Sequence, residues 1–225
     1  MPAPAPPPAD ASGASHAFGA SGASGASGAS GARSTRHSVL ANARRAAALV
    51  NALTRGGPAS PGAIVAVLRE HGEPGLLDLA AHDVDGMREA ALLLREVFGA
   101  GDVDRAAGLL NRLLLDRAGP LRLTSHAGHT PWHPHVDRDD DGPWGEWFLG
   151  SSCLALAVLV WEHQRPPGAV CASVSCENVF VTQGRGPERH YCSRRCATRE
   201  RVAAHRRARS GGGKGGGGPL DVVSD

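Results

Sequence analysis

The sequence predicts an α+β chain: a mainly helical N-terminal domain over residues 38–166, interrupted by one short β-hairpin, then a small metal-clasped module over 167–210. Three observations predict it. Hydrophobic residues make up 41% of the chain but aromatics only 4%, so the core is built from Leu, Val and Ala, a composition that favours helices. Apolar residues recur at helical spacing in five segments separated by Gly, Pro and Ser. Finally, Cys171, Cys176, Cys192 and Cys196 form two close pairs, C-x4-C and C-x3-C, separated by fifteen residues. Paired cysteines at that spacing are the pattern of a tetrahedral four-thiolate metal site.

The elements follow in order. Residues 1–37 are Pro-Ala and then Gly-Ala-Ser repeats with almost nothing to bury, which predicts a disordered arm. Ser38 caps a first helix running to Leu53, with Leu40, Ala43, Ala47 and Val50 on one face; Gly56-Gly57-Pro58 ends it. Ser60-Pro61 opens a second, with Ile64, Val65 and Leu68 inward, Pro being tolerated in a first turn. A third spans Asp83 to Phe98 and carries Met87, Ala91 and Leu94. A fourth spans Asp102 to Leu115 and carries Ala106, Leu109, Leu110 and Leu113. Alternation over Leu121–Thr124 and over Trp132–Val136 suggests a short hairpin. Asp139-Asp140-Asp141-Gly142 reads as a turn. A long helix from Pro143 to His163 places Trp147, Leu154, Val158 and Trp161 on its apolar face. Pro166-Pro167-Gly168 separates it from the cysteine module, and residues 211–225 read as a flexible glycine-rich tail.

The module of about 40 residues has too few large apolar side chains to fold unaided. A structural zinc ion supplies roughly 10–16 kcal/mol of apparent folding energy in such cases. Cys171 and Cys176 fall on a loop, Val179-Phe180-Val181 in a hairpin, and Cys192 and Cys196 in the start of a last helix reaching Arg209, with Ser193 as its cap. Redox thiols or an iron–sulfur cluster are the alternatives that spacing leaves open. An odd count of five cysteines and an N-terminus without a basic start or apolar run fit a reducing cytoplasm better than export.

Charge is unevenly shared. Residues 1–170 hold 14 basic and 17 acidic side chains, a net −3, whereas residues 171–210 hold 9 arginines and 3 glutamates, a net +6. Such a concentration attracts polyanions. Some of these arginines offset the charge of a four-thiolate zinc, which is near −2. The others are candidates for nucleic-acid phosphate: Arg194, Arg195, Arg199, Arg201, Arg206 and Arg207, each a planar fork suited to phosphate oxygens.

The stretch Cys171-Ala172-Ser173-Val174-Ser175-Cys176, then Phe180, then Arg189-His190-Tyr191-Cys192-Ser193-Arg194-Arg195-Cys196-Ala197-Thr198-Arg199 resembles the CGNR zinc finger. Leu49-Val50-Asn51-Ala52-Leu53 and Pro131-Trp132-His133-Pro134-His135 are similar to its usual upstream partner, the ABATE domain. The resemblance implies a treble-clef-like finger holding one structural Zn²⁺. It also implies DNA binding, in a family described as stress-induced transcription regulators of bacteria. The chain departs from the family at its namesake tetrad. Cys196-Ala197-Thr198-Arg199 keeps Cys and Arg and lacks Gly and Asn.

The remaining constellations read mostly as structure. His126, His129, His133 and His135 cluster near Asp137 and Asp139. On a strand His133 and His135 would share a face, offering a second metal site or an enzyme's metal. A polar strand with Trp132 anchored in the core is the plainer reading. Cys153 reads as a small buried hydrophobe. Trp144 and Trp147 read as core, or as the wall of a small-molecule pocket. The apolar run Phe148–Trp161 is shorter than the roughly 20 residues of a membrane helix. The expectation is thus a cytoplasmic, zinc-dependent DNA-binding regulator without catalytic or membrane function, whose upstream domain dimerises or senses an effector. A zinc-stabilised protein-interaction adaptor is the alternative.

Overall fold

The computed structural model describes residues 38–73, 77–139, 142–183 and 189–211. The expected arm over 1–37, the tail beyond 211 and the centre of the Asp139–Gly142 turn lie outside these residues. Among the described residues, six helices and two small antiparallel sheets run in the order α1 (Val39–Thr54), α2 (Pro61–Glu70), α3 (Ala81–Phe98), α4 (Val103–Asp116), β1 (Arg122–Thr124), β2 (His133–His135), α5 (Trp144–His163), β3 (Gly168–Val170), β4 (Val179–Val181) and α6 (Arg194–Gly211).

Helix starts follow local chemistry. The Ser38 hydroxyl accepts the Ala41 N–H, the Ser60 hydroxyl accepts Ala63 N–H ahead of Pro61, and the Asp102 carboxylate accepts Arg105 N–H at 2.8 Å. Each satisfies a donor that the first helical turn would otherwise leave without a partner. At α3 the Asp83 carboxylate reaches back to the Ala80 N–H at 2.9 Å, and the helix begins two residues earlier than the periodicity predicts.

Helix α5 is the central element and packs against α1, α3 and α4. Its buried residues are Phe148, Leu149, Gly150, Ser152, Cys153, Ala155, Leu156 and Leu159. The expected face was wrong: Leu154 and Val158 are only half-buried and Trp161 is 74% exposed. A helix apolar all round carries no stripe to choose a face, so its neighbours choose. The run Phe148–Trp161 understates the helix: α5 has 20 residues, and an 18-residue window of it has a mean hydropathy of 1.3, enough by length and composition to cross a bilayer, yet here its Phe148, Leu149, Leu156 and Leu159 pack in the helical core. Close approach to α3 is possible because Gly145 lies on Gly86, where an added Cβ would stand 2.8 Å from the Gly86 carbonyl carbon.

In the first sheet Arg122, Leu123 and Thr124 pair with His135, Pro134 and His133. Trp132, expected in the core, is 72% exposed. In the second sheet Gly168, Ala169 and Val170 pair with Val181, Phe180 and Val179. The segment expected to act as a separator is instead tightly packed: a Cβ on Gly168 would meet the Phe98 ring at 2.2 Å and the Phe180 carbonyl at 2.6 Å. Val179 and Val181 belong to the same apolar core as α1, α3 and α5.

Candidate metal centre

Four sulfurs converge where the β3–β4 hairpin meets α6. Cys171 follows β3, and Cys176 ends a tight turn closed by its N–H on the Ser173 carbonyl at 2.8 Å. Cys192 lies just ahead of α6, and Cys196 in its first turn. The expectation that both fall inside the helix holds only for Cys196. Ser193 caps the helix start as predicted, its hydroxyl accepting the Cys196 N–H at 3.3 Å.

The sulfur geometry suits one ion. Cys176 and Cys192 Sγ stand 3.7 Å apart, as do Cys192 and Cys196 Sγ, and all four sulfurs lie within 4.8 Å of one another. Thiolates bound about 2.3 Å from a tetrahedral zinc stand about 3.8 Å from each other. Donors surround them. Cys192 N–H points to Cys171 Sγ at 3.4 Å, the Asn178 amide to Cys192 Sγ at 3.8 Å, and the Arg199 guanidinium to Cys196 Sγ at 3.4 Å. Such groups are the outer-shell donors that orient metal-bound sulfurs. As thiols the two differ: the Ser193 hydroxyl draws Cys196 down to about 7, whereas burial pushes Cys192 up to about 12. The four-cysteine cluster fits one structural zinc ion.

Helix α1 holds the cluster from the other side. The Asn51 side chain donates to the Val179 carbonyl at 2.9 Å and accepts the Val179 N–H at 2.8 Å, so one amide caps the outer edge of β4. Arg55 donates to Asn178 at 2.8 Å, and Asn178 in turn faces Cys192. Between α1 and the cluster lies an open cavity of about 590 Å³. Five arginines line it: Arg44 from α1 and Arg55 just past its end, and Arg189, Arg195 and Arg199 from the cysteine module.

The six arginines predicted to meet nucleic acid therefore divide. Arg195 and Arg199 line the cavity, while Arg194, Arg201, Arg206 and Arg207 are exposed along α6 outside its lining. Arg199 also binds the Ser173 hydroxyl at 2.8 Å, and Ser173 itself donates to Glu200 at 2.6 Å. Its guanidinium thus serves the cluster as well as the cavity. Arg44, Arg55 and Arg189 were missed. Arg44 and Asn51 lie two turns apart on α1, beside the apolar face, and Arg55 follows at the helix C-cap. That spacing was the available signal.

Two aromatic residues resolve differently. Trp144 and Trp147 meet edge to face with centroids 5.3 Å apart, and the buried Arg45 guanidinium lies 4.8 Å over Trp147 while pairing with Glu73. Burial lowers the Arg45 pKa to about 10. This pair belongs to the packing of α1 on α5.

Residues 169–209 match the family model of the CGNR zinc finger. No curated protein matches the chain.

Proposed function

We propose that the chain is a zinc-dependent DNA-binding transcription regulator, in which the zinc-clasped hairpin and helix form a treble-clef-like unit that presents arginines to phosphate. The observation that carries this reading is the convergence of Arg44, Arg55, Arg189, Arg195 and Arg199 on one concave surface beside the cluster. Helix α6 extends that positive surface outward with Arg194, Arg201, Arg206 and Arg207. Phosphate contacts of this kind orient a protein on a duplex without reading its sequence.

The roles divide by element. Zinc sets the geometry of the hairpin against α6. Asn51 and Arg55 hold that unit to α1, so that arginines from both parts face the same space. The helical body over 38–166 supplies dimerisation or an effector response, because a single finger offers little contact area. A reducing compartment such as the cytoplasm would keep the four thiolates available for metal.

The test is fluorescence anisotropy with duplex DNA across a salt series. If four to five arginines neutralise phosphates, the slope of log K against log salt is about −4, from roughly −0.9 per contact. Arg201→Glu with Arg206→Glu weakens binding at unchanged zinc content. A flat salt response would favour the protein-interaction adaptor, for which Val174, 93% exposed at the Cys171–Cys176 turn, is an available contact.

A further inference from the structure

We infer that His126, His133 and His135 form a second metal site, separate from the four sulfurs, for a divalent transition ion that prefers imidazole. The three rings offer nitrogens within 4.8 Å of one another. His133 Nε2 lies 3.1 Å from His135 Nε2 and 3.3 Å from His126 Nε2. Two imidazole nitrogens bound about 2.0–2.1 Å from a tetrahedral zinc stand about 3.3 Å apart.

The hydrogen bonds at the back of the rings orient His133 and His135. His133 Nδ1 faces the Pro131 carbonyl at 2.8 Å, and His135 Nδ1 faces the two Asp137 carboxylate oxygens at 2.8 and 2.9 Å. Both partners only accept, so both Nδ1 atoms carry the proton. In neutral rings the facing Nε2 atoms then hold lone pairs, and lone pairs at 3.1 Å repel unless a cation lies between them. Asp137 is buried and also accepts from Arg122 at 2.7 Å. Carboxylate behind imidazole is the outer-shell arrangement that orients metal-bound histidines and raises their basicity.

The backbone supports the same reading. Strand register places His133 opposite Thr124 and His135 opposite Arg122, on one face of the hairpin. His126 joins them from the connecting turn at φ 47°, followed by Ala127 at φ 55°. Left-handed backbone at two successive non-glycine residues is unfavourable and concentrates at functional sites. Here it turns the His126 ring to within 5.1 Å, centroid to centroid, of both other rings. Three protein ligands leave a coordination position for water or for a donor atom of a bound molecule. Zinc, copper, iron and nickel all suit such a ligand set.

The experiment counts metal in the full chain. Purified protein loaded with zinc and dialysed into metal-free buffer should hold two ions per chain, and His133→Ala should hold one with an unchanged circular dichroism spectrum. Cobalt titration of the chelated wild-type protein adds a reading that needs no variant. One equivalent should show thiolate-to-metal charge-transfer bands, and a further equivalent should add visible ligand-field bands without them. Saturation of the wild type at one equivalent, with all absorption of thiolate character, would overturn the site. Two ions retained in folded His133→Ala would overturn it as well.

Discussion

The helical body and the cysteine module of this chain reach order by different routes. The body buries Leu49, Leu53, Ile64, Leu68, Met87, Leu94, Phe98, Phe148 and Leu156, all nearly inaccessible to water. The hydrophobic effect holds it, at roughly 25 cal/mol per Å² of apolar surface. The module contributes Val179, Phe180 and Val181 to buried positions, while α6 beyond Cys196 is largely exposed. It takes its order from the metal cluster and from the α1 side chains that grip β4. The lesson is that a segment too poor in apolar residues to fold alone can still be ordered when directional bonds supplement the small area it buries.

Three measurements sharpen or break that contrast. The largest effect belongs to the ion. Chelation, or Cys176→Ser, removes a contribution on the order of 10 kcal/mol. Hydrogen exchange should show protection lost over 169–209 while α3 and α5 still unfold cooperatively. Loss of protection throughout the chain would show that the two parts are one folding unit. In the unloaded state the four module cysteines should alkylate, and Cys153 should not, because it is buried in the core of α5, which stays folded.

The next effect belongs to the core. Phe148→Ala should cost about 3–5 kcal/mol of stability, read by denaturant unfolding. Zinc stoichiometry at the four sulfurs should not change under native conditions. A smaller effect falls at the junction. Asn51→Ala leaves the Val179 N–H and carbonyl without their partner, at a cost of about 1–3 kcal/mol. It should loosen exchange over β4 and weaken DNA binding more than it lowers the melting temperature of the body. Equal losses in both would show that the junction does not position the arginines independently of the fold.

Legibility differed by the range of the physics involved. Ser38 and Ser193 were readable as caps, and Ser60 and Asp102 as helix starts, because a cap acts within three residues. The four cysteines were readable because a tetrahedral site fixes both the residue type and the close pairing. The face of α5 was not, since its apolar residues surround the axis and only α1, α3 and α4 select which are covered. Trp132 and Trp161 misled for a related reason: a large aromatic ring suggests burial, but its neighbours leave both exposed. The cavity arginines were half legible. Arg195 and Arg199 lie beside the cysteines in the chain, whereas Arg44 and Arg55 reach the same space from a helix and its C-cap more than a hundred residues earlier.

The histidines show the same boundary. His133 and His135 share a strand face by simple alternation. His126 meets them only through a turn of positive φ, which no pattern of residue types announces.

By itself, then, the amino-acid order determined the helix starts, the liganding sulfurs and the concentration of positive charge near the C-terminus, because each depends on chemistry between residues close in the chain. Only the tertiary structure decided which side of α5 is buried, that Asn51 completes the edge of β4, and that arginines from α1 and the cysteine module face one cavity. Those outcomes depend on packing between distant segments, where many arrangements satisfy the same local rules and burial of the shared core selects among them.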